Sequence, residues 1–149
     1  MEPDQPIQEL HHIGVAVRSL AESLPKWTDG FGLRLESVDE VPTEQVKVAV
    51  LRAGRTRIEL LEPTSAASPI AKYLDKRGPG IHHLAFQVGD CQRKITALQA
   101  QEVPLLSDEP KPGAHGCRVA FVHPKHLGGV LAELVEDPHA EAKPGGGDA

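Results

Sequence analysis

Two histidine doublets, His11-His12 and His82-His83, stand in apolar surroundings at an offset of 71 residues, and two glutamates, Glu59 and Glu133, interrupt apolar runs at an offset of 74. Imidazole and carboxylate together are the donor set of zinc, cobalt, nickel, manganese or iron(II). A glutamate inside an apolar strand is expensive to bury unless something compensates its charge. Side chains alternate along a strand, so with Ile13, Val15 and Val17 turned to a helix, His12, Gly14 and Ala16 share the other face. The same alternation sets Leu84, Phe86 and Val88 against His83, Ala85 and Gln87. It also isolates Glu59 from Ile58 and Leu60, and Glu133 from Ala132 and Leu134. Two histidines and two glutamates therefore meet on one face whose other residues are small, as the floor of a cavity requires. The chemistry this predicts is a divalent metal held by His12, His83 and Glu133 with Glu59 as fourth ligand. Positions left open for water or substrate would make such a site catalytic. Alternation turns His11 and His82 toward the helix layer, as hydrogen-bonded structural histidines or as partners that orient the ligands. His115, in the loop Lys111 to Gly116, is read as a surface residue with substrate contact as its alternative, and His123, His126 and His139 receive no role.

The elements that must position these groups come in two copies. Leu10 to Val17 matches Ile81 to Val88, and Arg57 to Glu62 matches Leu131 to Glu136, in the same order and at nearly one spacing. This is the mark of a duplicated unit. Each copy opens on a strand and continues into a helix. Ser19 with Glu22 makes a capping box for the first helix, whose apolar stripe is Leu20, Leu24, Trp27 and Phe31, and Asp90 caps the second. Pro25 costs the first helix a hydrogen bond. Three apolar runs follow each helix: Leu33 to Val38, Val46 to Leu51 and Thr56 to Leu61, then Val103 to Leu106, Arg118 to Val122 and Val130 to Val135. The predicted fold is α+β, two tandem βαβββ modules forming one curved mixed sheet around a metal site. The expected limits are an N-terminal extension over 1–9, one domain over 10–137 built from modules 10–63 and 81–137 with a linker over 64–80, and a flexible tail over 138–149.

Composition narrows the function. The chain has 149 residues, 40% of them hydrophobic, which suffices for one packed domain. A net charge of −5 leaves no basic field for a nucleic-acid backbone or an anionic membrane, so neither partner is expected. The apolar runs are too short to span a bilayer. Two cysteines, Cys91 and Cys117, are too few for a disulfide framework, and a cytoplasmic location is the expectation.

Paired βαβββ modules with a histidine on the opening strand resemble the vicinal oxygen chelate superfamily of glyoxalases, extradiol dioxygenases and antibiotic-resistance proteins. Narrower segments resemble the methylmalonyl-CoA epimerases: Ser68-Pro69-Ile70-Ala71, Gly80-Ile81-His82-His83-Leu84-Ala85-Phe86, Asp108-Glu109-Pro110, His123-Pro124-Lys125 and Gly128-Gly129-Val130-Leu131-Ala132-Glu133-Leu134. The resemblance runs from Leu10 to about Glu136. It implies a vicinal oxygen chelate fold and ligands at His12, His83 and Glu133, with a further ligand at Glu59 that is Gln in some members. It implies a divalent ion, Co2+ before Zn2+, Mn2+, Ni2+ or Mg2+, an acyl-CoA substrate and a homodimer. The activity implied is interconversion of (2R)- and (2S)-methylmalonyl-CoA by 1,1-proton transfer through a metal-stabilised enolate. Glu133 would serve as base on one face. On the other face some family members carry an acid a few residues after the pair that Glu44-Gln45 resembles, where Val48 or a neighbour stands here. Glu44 and Glu59 are therefore the candidates for the second base, Glu44 being favoured because the family tolerates Gln at the other position. His115 and Lys125 are candidate substrate contacts. The ligands alone would serve equally a glyoxalase-type lactoylglutathione lyase or a non-haem dioxygenase, and a small-molecule-binding resistance protein is the non-enzymatic alternative.

Overall fold

The structure is a computed structural model that describes residues 4–140. Eight strands form one curled mixed sheet: β1 (Glu9–Ala16), β2 (Arg34–Val41), β3 (Val46–Ala53), β4 (Thr56–Pro63), β5 (Gly80–Gln87), β6 (Lys111–Pro112), β7 (Arg118–Val122) and β8 (Ala132–Glu136). Their order across the sheet is β2-β3-β4-β1-β5-β8-β7-β6, so each module supplies one half and the opening strands meet at the centre. Within each half the opening strand pairs in parallel with the last strand of its module, β1 with β4 and β5 with β8, and β1 and β5 pair antiparallel across the seam.

Helix α1 (Leu20–Thr28) starts at Ser19, whose hydroxyl accepts from the Glu22 amide. It continues through Pro25 to Asp29, whose amide donates to the Pro25 carbonyl. Helix α3 (Cys91–Ala100) starts at Asp90, whose carboxylate accepts from the Arg93 amide. Leu24 and Trp27 of α1 pack on Ile13, Val15 and Val17, and Ile95 and Leu98 of α3 on Phe86, Val88 and Leu134. Apart from Leu84, the expected helix-facing strand residues therefore do face the helices, whereas Phe31, expected in the stripe of α1, lies beyond its end and is exposed. Helix α2 (Pro69–Arg77) follows an N-cap at Ser68 and packs Ile70 and Leu74 on the opposite face, against Ala16, Val48 and Leu61.

The second half of the sheet departs from expectation. Of the run Val103 to Leu106 only one bridge, Leu105 to Val122, joins the sheet, and the terminal strand is the two-residue β6. Pro104, Pro110 and Pro112 explain this, since proline has no amide to give a ladder and is confined to edges. The two outer strands approach across the open side of the curl. His115 Nε2 lies 3.0 Å from the Asp39 carboxylate on β2, and the Thr43 hydroxyl donates to the Pro112 carbonyl at 3.3 Å. Pro138 to Ala140 form a turn closed by the Ala140 amide on the Asp137 carbonyl, and the remainder of the expected tail, 141–149, lies outside the described residues. Among the described residues no helix is long and apolar enough to cross a membrane.

Candidate metal centre

The seam between β1 and β5 carries one β-bulge on each strand. On β1, Leu10 pairs with Phe86 and His12 with Ala85, leaving His11 extra; on β5, His83 pairs with Gly14 and Ile81 with Val15, leaving His82 extra. A bulge sets two successive residues against one partner and breaks the alternation of faces. Both histidines of each doublet consequently line the same cavity. The expectation that His11 and His82 turn to the helix layer is thus corrected, because alternation holds only along an unbroken ladder.

The three candidate ligands close on one another at the cavity floor. His12 Nε2, His83 Nε2 and Glu133 Oε1 are 3.1 Å apart in all three pairs, and all three residues are buried. Near as it is to both rings, Glu133 Oε1 has no hydrogen bond of acceptable geometry among the described residues. Bonds of about 2.1 Å meeting near right angles hold their donor atoms about 3.0 Å apart, and tetrahedral ones about 3.4 Å. The triangle therefore has the spacing of three donors around one divalent ion, and the buried carboxylate oxygen, unpartnered among the described residues, is the atom such an ion would satisfy. His12, His83 and Glu133 could hold a metal ion.

Electrostatics agree with the geometry. Burial alone would raise the Glu133 pKa, but the imidazoles of His83 and His12 outweigh it and hold the carboxyl far below the usual range. Burial likewise opposes charge on His12, and the Glu59 and Glu133 carboxylates overcome it and raise that imidazole. Each charge here is stabilised by an opposite neighbour.

Glu59 occupies the place in the first module that Glu133 has in the second, for Glu59 registers with Gly14 as Glu133 does with Ala85. Its side chain nevertheless meets the other nitrogen of the same ring, Oε2 lying 3.3 Å from His12 Nδ1. It groups with His11 and His12, whereas the triangle is His12, His83 and Glu133. The His83 ring lies over Gly14, where an added Cβ would stand 2.3 Å from its Cε1.

Above this floor is a cavity of about 490 Å³ with apolar walls that include Val48, Leu61, Ile70 and Phe121. Glu44 enters it from the 3₁₀ turn Pro42–Glu44. Burial, opposed by Lys111 and assisted by the charge of Glu133, raises the Glu44 carboxyl above the usual range. Val48 is simply part of the apolar wall. His115 lies on the cavity rim in a left-handed conformation (φ 57°). Lys125 lines an adjoining cavity with Tyr73, Arg77 and Val130, which shares His82, His83 and Leu131 with the first.

Sequence reasoning missed Asp137, whose Oδ2 lies 2.7 Å from His11 Nε2, and His139, whose Nε2 lies 3.1 Å from the His115 carbonyl. Asp137 follows β8 directly in Glu136-Asp137-Pro138, a position that read only as the acidic end of a strand.

A curled sheet of paired modules with two histidines and a glutamate at its seam defines a class, and the chain belongs to the Glyoxalase/Bleomycin resistance protein/Dioxygenase superfamily, whose sequence model matches residues 11–121. Within it the similarity is to methylmalonyl-CoA epimerases. The ethylmalonyl-CoA/methylmalonyl-CoA epimerase of Cereibacter sphaeroides is 36% identical over 130 residues, covering 86% of this chain and 97% of that protein. The crystal structure of methylmalonyl-CoA epimerase from Mycobacterium tuberculosis superposes with a TM-score of 0.85 at 35% identity, covering 92% of this chain and 93% of that one. A Streptomyces coelicolor methylmalonyl-CoA epimerase variant in complex with 2-nitronate-propionyl-CoA gives 0.86 at 31% identity, covering 92% and 99%.

Proposed function

We propose that the protein is a metal-dependent epimerase that interconverts (2R)- and (2S)-methylmalonyl-CoA. The observation that carries this reading is the pair of carboxylates, Glu133 and Glu44, that line one apolar cavity from different modules beside a three-donor cluster. C2 of the substrate lies between a thioester and a carboxylate, and inverting it requires taking a proton from one face and returning one to the other. A bound divalent ion held by His12, His83 and Glu133 would supply Lewis-acid charge beside the substrate's oxygens. Glu133, which would hold such an ion through one oxygen, has a second oxygen to exchange the proton on one face. Glu44 exchanges it on the other, its raised pKa being suited to a group that must both accept and donate near neutrality. The apolar walls exclude water that would compete for the proton. Glu59, against His12 Nδ1, is the less favoured base and a fourth ligand only by a change of rotamer.

His115, at the rim, is proposed as a substrate contact, and Lys125 with Arg77 gives the adjoining cavity a positive edge suited to the phosphates of CoA. Cobalt is the proposed ion, in keeping with the resemblance and the two-nitrogen, one-oxygen donor set. A cytoplasmic homodimer is proposed as the working form. Two free, buried thiols suit a reducing compartment, and exposed Leu35 and Val38 on edge strand β2 suit a covered face.

The test is incubation of metal-loaded protein with either epimer in deuterium oxide. Deuterium should enter at C2 with loss of stereochemical purity, and methylglyoxal with glutathione should not turn over. The opposite pattern would establish a glyoxalase instead. Glu44→Gln should slow epimerisation by about 10²-fold with metal content unchanged. If neither it nor Glu59→Gln slows the reaction, the second base lies elsewhere.

A further inference from the structure

A carboxylate reaches the candidate ligand His12 through a second histidine. Asp137 Oδ2 lies 2.7 Å from His11 Nε2, and His11 Nδ1 lies 2.7 Å from His12 Nδ1. The other oxygen of Asp137 is already committed, since Oδ1 accepts from the His139 amide at 2.8 Å. We propose that Asp137 and His11 are positioning residues that fix the tautomer of His12, leaving its Nε2 lone pair bare for a metal ion. The inference rests on the reading of His12 as a ligand.

The protons can be followed along the chain. An ionised carboxylate only accepts, so His11 must direct an N–H from Nε2 at Asp137. A neutral imidazole has one N–H, which leaves His11 Nδ1 as an acceptor. His12 Nδ1 faces that acceptor at 2.7 Å and the Glu59 carboxylate at 3.3 Å, so Nδ1 carries its hydrogen. In neutral His12 the Nε2 is then a bare lone pair directed into the triangle; Glu133 Oε1, 3.1 Å away, lies outside hydrogen-bond geometry and so demands no hydrogen there. The reverse assignment would point a bare His11 Nε2 at a carboxylate, two acceptors face to face at 2.7 Å. The β1 bulge makes the arrangement possible, because only a broken alternation turns two successive histidines to one side.

Substitution of Asp137 gives an unusual ordering. In Asp137→Asn the carbonyl oxygen is held by the His139 amide, so the NH2 group takes the place of Oδ2 and donates to His11 Nε2. His11 must then carry its hydrogen on Nδ1 and donate to His12. That places the His12 hydrogen on Nε2, where it blocks ligation. Asp137→Ala merely removes a partner and leaves both tautomers available. A purely structural role for Asp137 predicts the opposite order, since Asn preserves shape and Ala does not.

The experiment combines long-range nitrogen–proton spectra of the imidazoles, recorded metal-free above their titration and again with zinc, and calorimetric zinc affinity for wild type, Asp137→Asn and Asp137→Ala. Expected are an Nδ1–H His12 in the wild type, an Nε2–H His12 in Asp137→Asn, and zinc affinity reduced by about tenfold to a hundredfold in Asn and less in Ala. A wild-type His12 carrying its hydrogen on Nε2, an unchanged tautomer in Asp137→Asn, or a greater loss in Ala than in Asn would overturn the proposal. Should Asp137→Asn fail to fold, the wild-type spectrum alone decides. If the wild type shows the expected tautomer but zinc leaves the His12 Nε2 resonance unmoved, the relay stands and the assignment of His12 as a ligand fails.

Discussion

The two modules repeat the same backbone and use it for different work. Both opening strands bulge at the first histidine of a doublet, and both glutamates register two residues beyond the second histidine of their own module. The side chains then diverge. Glu133 presents Oε1 to the inner nitrogens of both rings, whereas Glu59 approaches His12 from behind. Where the second module has Ala85, the first has Gly14, and the missing methyl is the room the His83 ring fills. His11 is backed by the Asp137 carboxylate, while its counterpart His82 meets the ring of Tyr73 at a centroid distance of 4.9 Å. Burial and the proximity of His83 push the His82 pKa down to about 4, in keeping with a neutral partner. Duplication thus fixes register, and a few neighbouring residues decide which of the two glutamates closes on the His12–His83 pair.

The sharpest test of the difference is Glu133→Gln against Glu59→Gln. A neutral amide is a weaker ligand and cannot take a proton at neutral pH, so Glu133→Gln should reduce metal affinity and turnover together, each by about 10²-fold or more. Glu59→Gln should keep metal affinity within a few-fold. Equal losses, measured by calorimetry and the deuterium assay, would make the two glutamates equivalent and erase the contrast.

Next in size is the exchange of small residues at the seam. A methyl at Gly14 would lie 2.3 to 2.7 Å from three atoms of the His83 ring, so Gly14→Ala must displace that ring, and metal affinity should fall by about tenfold or more. Ala85→Gly should leave affinity intact and lower stability by about 0.5–1 kcal/mol, seen in thermal melts.

A smaller effect lies in the pH profile. Because the Glu44 pKa is raised, the unprotonated base is lost at a higher pH than for an ordinary carboxylate. The acid limb of kcat/KM should therefore begin above the range of about 4 to 4.5 typical of free side chains, and should vanish in the residual activity of Glu44→Gln but persist in Glu59→Gln. Smallest of all is the effect of chelation on the fold. Both halves have apolar cores remote from the cavity floor, so EDTA should abolish turnover while the far-ultraviolet circular dichroism spectrum changes little. A collapse of the spectrum would mean that the ion carries the fold.

Much of this was legible in the sequence because it is local or repeated. Ser19 and Asp90 announce their helices by capping chemistry, and the spacing of His12, His83, Glu59 and Glu133 brings them to one cavity. What escaped depends on breaks in local rules or on distance along the chain. Alternation cannot reveal a bulge, so it places His11 and His82 in the helix layer although both line the cavity. Val103 to Leu106 has the composition of a strand, but the prolines around it leave only Leu105 in the sheet. Asp137 meets His11 across 126 residues, a contact that no local pattern encodes.

The central seam also carries a consequence for how the chain acquires its site in time. Strands β1 and β5 come from opposite halves of the sequence, and β8 joins β5 only near the described C-terminal end. Pairings so distant in sequence form slowly, since the entropy of closing the intervening chain must be lost before any contact compensates it. A chain emerging from the ribosome can complete the first module while holding one of the three donors, His12, and neither of the two from the second. The three donor atoms converge only with the last strand. If these donors hold a metal ion, its capture comes late in folding, and in a refolding experiment a metal-dependent signal should lag the recovery of secondary structure.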